Sequence, residues 1–114
     1  MAQDCIFCKI IRKEIPAKIA FEDDQVLAFH DINPAAPVHI LLIPKRHVEK
    51  VGVVPSGDNL VSVITDRAVK LAEELGIAKD GFRLVFNNGD NGGQTVYHLH
   101  LHLLGGRFMT WPPG

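Results

Sequence analysis

His98-Leu99-His100-Leu101-His102-Leu103-Leu104 is the stretch on which the fold turns. Imidazole and leucine alternate with a period of two, the spacing of a half-buried β-strand. On such a strand the three histidines share one face, and Leu99, Leu101 and Leu103 share the other. The leucine face demands a packing layer. Three of the chain's six histidines fall within the five positions 98–102, a density that weighs against a strand using His only as a convenient polar residue.

Working outward, the strand is expected over Val96–Leu104, ended by Gly105-Gly106 and preceded by a glycine-rich turn at Asn88–Gly93. Phe82–Asn87 reads as its neighbouring strand. A helix capped by Ser56 or Asp58 is expected to run to about Leu75. Leu60, Val61, Ile64, Ala68, Leu71, Ala72 and Leu75 form its apolar stripe, and Gly76 takes the C-cap place. Val38–Pro44 is apolar enough for a central strand. Lys18–Glu22 and Val26–Asp31 read as two more, joined by a turn at Asp23-Asp24. Cys5–Glu14 has the spacing of a short helix that Pro16 stops. Asn33-Pro34-Ala35-Ala36-Pro37 is a loop. Strands in antiparallel-looking pairs around one long helix indicate an α+β fold rather than a parallel βαβ sheet.

The chain has 114 residues, 46% hydrophobic and 22% charged, which suits one domain over residues 1–114. A core of that size is modest, so an oligomer interface would help it. Twelve basic residues against thirteen acidic ones give a net charge of −1, which offers no general attraction for nucleic acid or an anionic membrane. No targeting segment and no membrane-spanning run is read, and Cys5 and Cys8 lie too close together to staple a fold. A cytoplasmic location is the expectation.

Three chemistries fit a histidine face: a plain amphipathic strand, a transition-metal site, or catalysis by imidazole. Successive positions on a strand face lie roughly 6.6–7 Å apart, too divergent for all three rings to ligate one ion comfortably. Imidazole is a competent nucleophile toward phosphorus, titrates near working pH, and can be oriented by a second histidine. The loop upstream, Asn87-Asn88-Gly89-Asp90-Asn91-Gly92-Gly93-Gln94-Thr95, adds backbone and side-chain donors that can cradle an anion. A phosphate seat beside its own nucleophile is the reading these segments support together.

The His-φ-His-φ-His-φ-φ pattern resembles the histidine triad superfamily. Further stretches resemble its Hint branch: Asp31-Ile32-Asn33-Pro34-Ala35-Ala36-Pro37-Val38-His39, Ile43-Pro44-Lys45, Gly92-Gly93-Gln94-Thr95-Val96-Tyr97 and Trp111-Pro112-Pro113-Gly114. The resemblance covers nearly the whole chain. It implies the HIT fold, an antiparallel five-stranded sheet with one long and one short helix, the sheets joined across a homodimer. It implies hydrolysis of purine nucleoside phosphoramidates to a monophosphate (AMP or GMP) and an amine, with no cofactor required for catalysis. In that scheme His100 attacks the α-phosphorus and forms a nucleotidyl-imidazole. His102 contacts phosphate and helps the amine leave, while His98 and His39 form a supporting hydrogen-bond chain. Asn87, Gln94, Thr95 and the Val96 backbone hold phosphate oxygens, and Asp31 holds the ribose. Ile6, Phe7, Ile10, Phe29 and Ile32 line the base pocket.

Cys5-Ile6-Phe7-Cys8 has zinc-knuckle spacing, and two reduced, partly buried thiols fit it as well. A redox pair lacks its usual sequence context. In some relatives of the superfamily such a pair binds structural zinc together with a histidine after Pro-Lys-x and the first triad histidine, here Cys5, Cys8, His47 and His98. That ion would take His98 out of the proton relay. His30 reads as a satisfied surface or edge residue. Two other functions stand beside the phosphoramidase: a dinucleoside polyphosphate hydrolase or nucleotidyl transferase of the same superfamily, and a purine-nucleotide-binding regulatory adaptor. Tyr97 and the Trp-Pro-Pro-Gly tail weigh against the former, and an intact His100 beside the loop against the latter.

Overall fold

The computed structural model describes residues 4–114. Five strands form one antiparallel sheet: β1 (Ile19–Glu22), β2 (Val26–His30), β3 (Val38–Pro44), β4 (Phe82–Phe86) and β5 (Leu101–Gly105), in the spatial order β1-β2-β3-β5-β4. Helix α1 (Ile6–Ile11) and helix α2 (Leu60–Glu74) complete the α+β fold.

β3 is central because both its faces are apolar and both are covered. Ile40 and Leu42 point into a cluster with Val26, Ala28, Leu101, Leu103 and the α2 residues Ile64, Ala68 and Leu71. Leu41 and Ile43 point the other way, against Leu27, Phe29 and the α1 residues Phe7 and Ile10. Each fully buried Leu or Ile contributes roughly 1.5–3 kcal/mol, so the two-sided burial of β3 anchors the sheet. α2 places only its apolar stripe in the core. It ends where Gly76 takes φ +77°. There Ile77 N–H bonds Ala72 O and Gly76 N–H bonds Glu73 O, the paired bonds of a Schellman cap.

Several boundaries differ from the sequence expectation. α1 stops at Ile11 rather than Glu14, because Lys13 turns to φ +63° and the chain folds back on the helix end. The N-cap of α2 is Asn59, which makes no side-chain cap bond; Asp58 instead accepts Leu60 N–H at 2.9 Å from one residue further out. A 3-10 turn at Val51–Val53 was not expected. The largest difference is in the last strand, which pairs only from Leu101, not from Val96. Upstream of it Leu99 N–H bonds Val48 O at 2.6 Å instead of a strand neighbour. The alternation of faces survives without the ladder: Leu99, Leu101 and Leu103 all lie under α2, because the leucines have only that core to enter. Among the described residues no helix is long and apolar enough to cross a membrane.

Candidate active site

β3 and β5 are antiparallel neighbours, with Leu41 opposite His102 and His39 opposite Leu104. Residues of the same parity as Leu41 face α1, and so do the triad histidines. Between that face and α1 lies a cavity of about 450 Å³. Ile6, Phe7, Ile10, Phe29, Ile32, Leu41 and Val96 give it apolar walls, and Asp31, Thr95, His100 and His102 give it polar ones. The Phe7 ring meets Phe29 and His100 edge-on, at centroid distances of 5.5 and 5.2 Å.

Hydrogen bonds assign the imidazole tautomers. Ala35 N–H must donate, so His39 Nδ1, 3.0 Å away, accepts and carries no proton. The proton of neutral His39 is therefore on Nε2, where it donates to His102 Nδ1 at 2.9 Å. His102 in turn carries its proton on Nε2, a buried atom with no hydrogen-bond partner among the described residues. His100 Nδ1–H donates to the His98 carbonyl at 2.8 Å, which leaves His100 Nε2 as a bare lone pair. Two rings with centroids 5.0 Å apart thus offer one acceptor nitrogen and one donor nitrogen.

Burial keeps these rings neutral. Desolvation lowers the pKa of His39 and His100, and Asp31 opposes the shift in both. Burial first, then the neighbouring His100 and His39, brings His102 down to about 4. The unfolded chain therefore binds protons between about pH 6.5 and 4 that folded His102 does not. The sign follows: stability is fully present above pH 6.5 and falls as pH drops toward 4. The His102 share is on the order of 3 kcal/mol. In denaturant titrations at pH 7 and 4.5, His102→Asn should lose less stability on acidification than wild type. An equal loss in both proteins would contradict the assignment.

The expected site residues divide into three groups. Ile6, Phe7, Ile10, Phe29, Asp31, Ile32, Thr95, Val96, His100 and His102 line one cavity. His39 and His98 stand behind it. The His98 ring is not part of the imidazole chain, and only its carbonyl reaches His100. Asn87 does not line the cavity, and neither does Gln94, whose amide is spent on Gly89 N, Glu49 O and Val96 O. His30 borders the cavity at the end of β2, but it pairs with Ile40, whose side chain enters the α2 core, so its half-buried ring belongs to the opposite face, and its N–H bonds the Lys18 carbonyl. Leu41, Ile15, Pro16 and Ala17 also line it and were not expected. Leu41 was legible, since it shares strand parity with His39. The others depend on how the α1–β1 connection folds back.

A second cluster joins Cys5, Cys8, His47 and His98. His98 Nε2–H donates to Pro44 O at 2.9 Å, so its Nδ1 lone pair faces Cys5 Sγ at 3.4 Å, Cys8 Sγ at 3.5 Å and His47 Nδ1 at 3.1 Å. A tetrahedral zinc with ordinary Zn–S and Zn–N bonds would separate its ligands by roughly 3.3–3.8 Å, so the cluster fits with a slight expansion. Burial, with Cys5 adding to it, pushes the Cys8 thiol up to about 11, so without an ion it stays protonated. Asp31, His39 and His102 also lie close together. There the Ala35 bond holds the proton on His39 Nε2, which commits His39 and His102 to each other rather than to an ion, with the Asp31 carboxylate 3.5 Å from His39 Nε2.

The HIT domain family matches residues 12–109. The chain belongs to the HIT family. It is 56% identical over 115 residues to an uncharacterised HIT-like protein of Synechocystis, with all of both chains covered. It is 50% identical to the adenylylsulfatase HINT1 of Arabidopsis thaliana, covering 96% of this chain and 76% of that one. A 14 kDa zinc-binding protein of Brassica juncea is 48% identical, covering 97% of this chain and 100% of the other. The fold superposes on a HIT family hydrolase from Legionella pneumophila with a TM-score of 0.95 and 55% identity, covering 97% of this chain and 100% of that one.

Proposed function

We propose that this HIT protein is a hydrolase that cleaves purine nucleoside phosphoramidates to a nucleoside monophosphate and an amine. One observation carries the reading: His100 Nε2 is an unprotonated acceptor and His102 Nε2–H an unpartnered donor, and both rings line the same cavity. In the first half-reaction His100 Nε2 attacks the α-phosphorus and the P–N bond breaks. The departing nitrogen takes the proton that His102 Nε2 presents. Positive charge that develops on His100 is stabilised through Nδ1–H at the His98 carbonyl, while His39 keeps His102 in the productive tautomer. Water then attacks the nucleotidyl-histidine, frees the monophosphate and returns the proton to His102. Thr95 and Val96 border the phosphate, Asp31 the ribose, and the walls of Phe7, Ile10, Phe29 and Ile32 enclose an AMP- or GMP-type base. The scheme calls for no cofactor in catalysis.

The Arabidopsis relative's name favours a second reading, hydrolysis of adenylyl sulfate, in which sulfate leaves without a proton. A substrate panel tests both: adenosine 5'-phosphoramidates of several amines, adenylyl sulfate and a diadenosine polyphosphate. The phosphoramidates should turn over fastest. Faster turnover of the polyphosphate, or binding of AMP with no turnover of any substrate, would replace the proposal with a polyphosphate hydrolase or a regulatory binder.

The reading includes a structural zinc on Cys5, Cys8, His47 and His98, supported by the ligand geometry and by the zinc-binding relative's name. Bound there, the ion would cross-link α1 to the segments around His47 and His98. Four protein ligands leave no open position for substrate. Prolonged chelation should lower the thermal midpoint by several degrees and leave most phosphoramidase turnover at 25 °C. Activity that disappears with the metal and returns with added zinc would overturn the metal-free chemistry.

It also includes a homodimer in a reducing compartment such as the cytoplasm. Phe108 and Trp111 are 86% and 80% exposed on the tail, apolar surface that a second copy would cover. Light scattering at micromolar concentration should report a dimer, and a monomer would refute it.

A further inference from the structure

We propose that Gln94 is a positioning residue. Its amide clamps the glycine loop and Val96 to the segment that carries His47, and so sets the cavity edge at Thr95 and Val96. The inference rests on the reading that this edge takes a nucleotide phosphate, and it changes the part Gln94 plays there.

Gln94 is a buried polar residue, 5% exposed, on a loop whose neighbours Gly93 and Thr95 are exposed. Its amide orientation is settled by its partners. Oε1 accepts Gly89 N–H at 2.9 Å, and Nε2 donates to Glu49 O at 2.7 Å and to Val96 O at 3.1 Å. A flipped amide would set a carbonyl oxygen against two carbonyls and an NH₂ against an N–H. Both donor hydrogens are therefore committed to backbone, and Gln94 has none left for a phosphate oxygen.

Two of the partners lie on Gln94's own loop, on either side of it, and the third comes from a distant segment. Gly89 opens the glycine turn, Val96 leads into the histidine stretch, and Glu49 follows His47 and Val48. Val48 O accepts Leu99 N–H, and the His47 ring faces His98. The short segment 47–49 thus touches the cysteine–histidine cluster, the backbone between His98 and His100, and the phosphate loop. Gln94 makes the last of these connections. Asn88 reinforces it from the same turn by accepting Gly52 N–H at 2.6 Å through its side chain. A glycine-rich loop has many backbone states to lose on ordering. Buried side-chain bonds to backbone hold it to the one state in which Thr95 and Val96 border the cavity.

Positioning and direct phosphate binding predict different behaviour for Gln94→Ala and Gln94→Glu. If Gln94 positions the loop, amide hydrogen exchange across residues 88–97 accelerates at least tenfold in Gln94→Ala, while exchange in α2 and β3 stays near wild type. The kcat for an adenosine phosphoramidate falls about tenfold or more, and adenosine, which has no phosphate, binds as in wild type. Gln94→Glu keeps the acceptor for Gly89 N–H but sets an anion against two carbonyls, so it is no rescue: its loop exchanges at least as fast as that of the alanine variant. Gln94 bonded directly to phosphate would instead leave loop exchange unchanged and weaken AMP binding selectively over adenosine. That result overturns the proposal, as does wild-type exchange with wild-type kcat. Loop exchange and AMP binding are read without turnover, so a wild-type protein inert toward phosphoramidates would refute the hydrolase reading while the clamp is still judged by exchange.

Discussion

His100→Ala should fold as the wild-type protein does and lose turnover of an adenosine phosphoramidate by on the order of 10³-fold or more. The side chain packs against Phe7, and its one backbone bond, to the His98 carbonyl, lies outside the sheet ladder, so the sheet and its two cores remain. What disappears is the bare Nε2 that the His98 carbonyl orients. Without it no covalent intermediate can form, and water would have to displace an amine directly. Burst-phase and steady-state measurements on the purified variant check this, with thermal denaturation as a control for folding. A variant within tenfold of wild type would mean that another group attacks phosphorus.

His102→Ala separates the leaving groups. A poorly departing alkylamine needs the proton that His102 Nε2 presents, and general acid catalysis of this kind contributes typically 10²–10⁴-fold. Sulfate departs as a stable anion and needs none. The variant should therefore lose about 10²-fold or more on alkylamine phosphoramidates and within about tenfold on adenylyl sulfate. His39→Ala should move in the same direction with a smaller effect, since it acts through the tautomer of His102. Equal losses on both substrates would show that His102 serves the phosphate and not the leaving group.

Much of this was legible in the order of residues. Alternation from His98 to Leu104 separated a histidine face from a packing face. The 3.6-residue stripe from Leu60 to Ala72 located α2, and the apolar run Val38–Pro44 located the central strand with its boundaries intact. These signals are readable because each reports a local period against a single buried layer. Cys5, Cys8, His47 and His98 were drawn together only through a family resemblance, since nothing local in the chain brings residues 8, 47 and 98 side by side.

The tertiary structure decided the roles. Which histidine nitrogen is bare depends on whether a carbonyl or an N–H lies beside the other one. Those partners, Ala35 for His39, His98 O for His100 and Pro44 O for His98, are set by the folded backbone around each ring and not by the alternation of the strand. The same holds for Gln94. In the sequence it is one more donor in an anion-binding loop, whereas in the fold its two hydrogens are taken by the carbonyls of distant Glu49 and of nearby Val96. Periodicity determined which face each side chain occupies. Hydrogen-bond competition within that face, resolved only once the chain is folded, determined what each side chain is free to do.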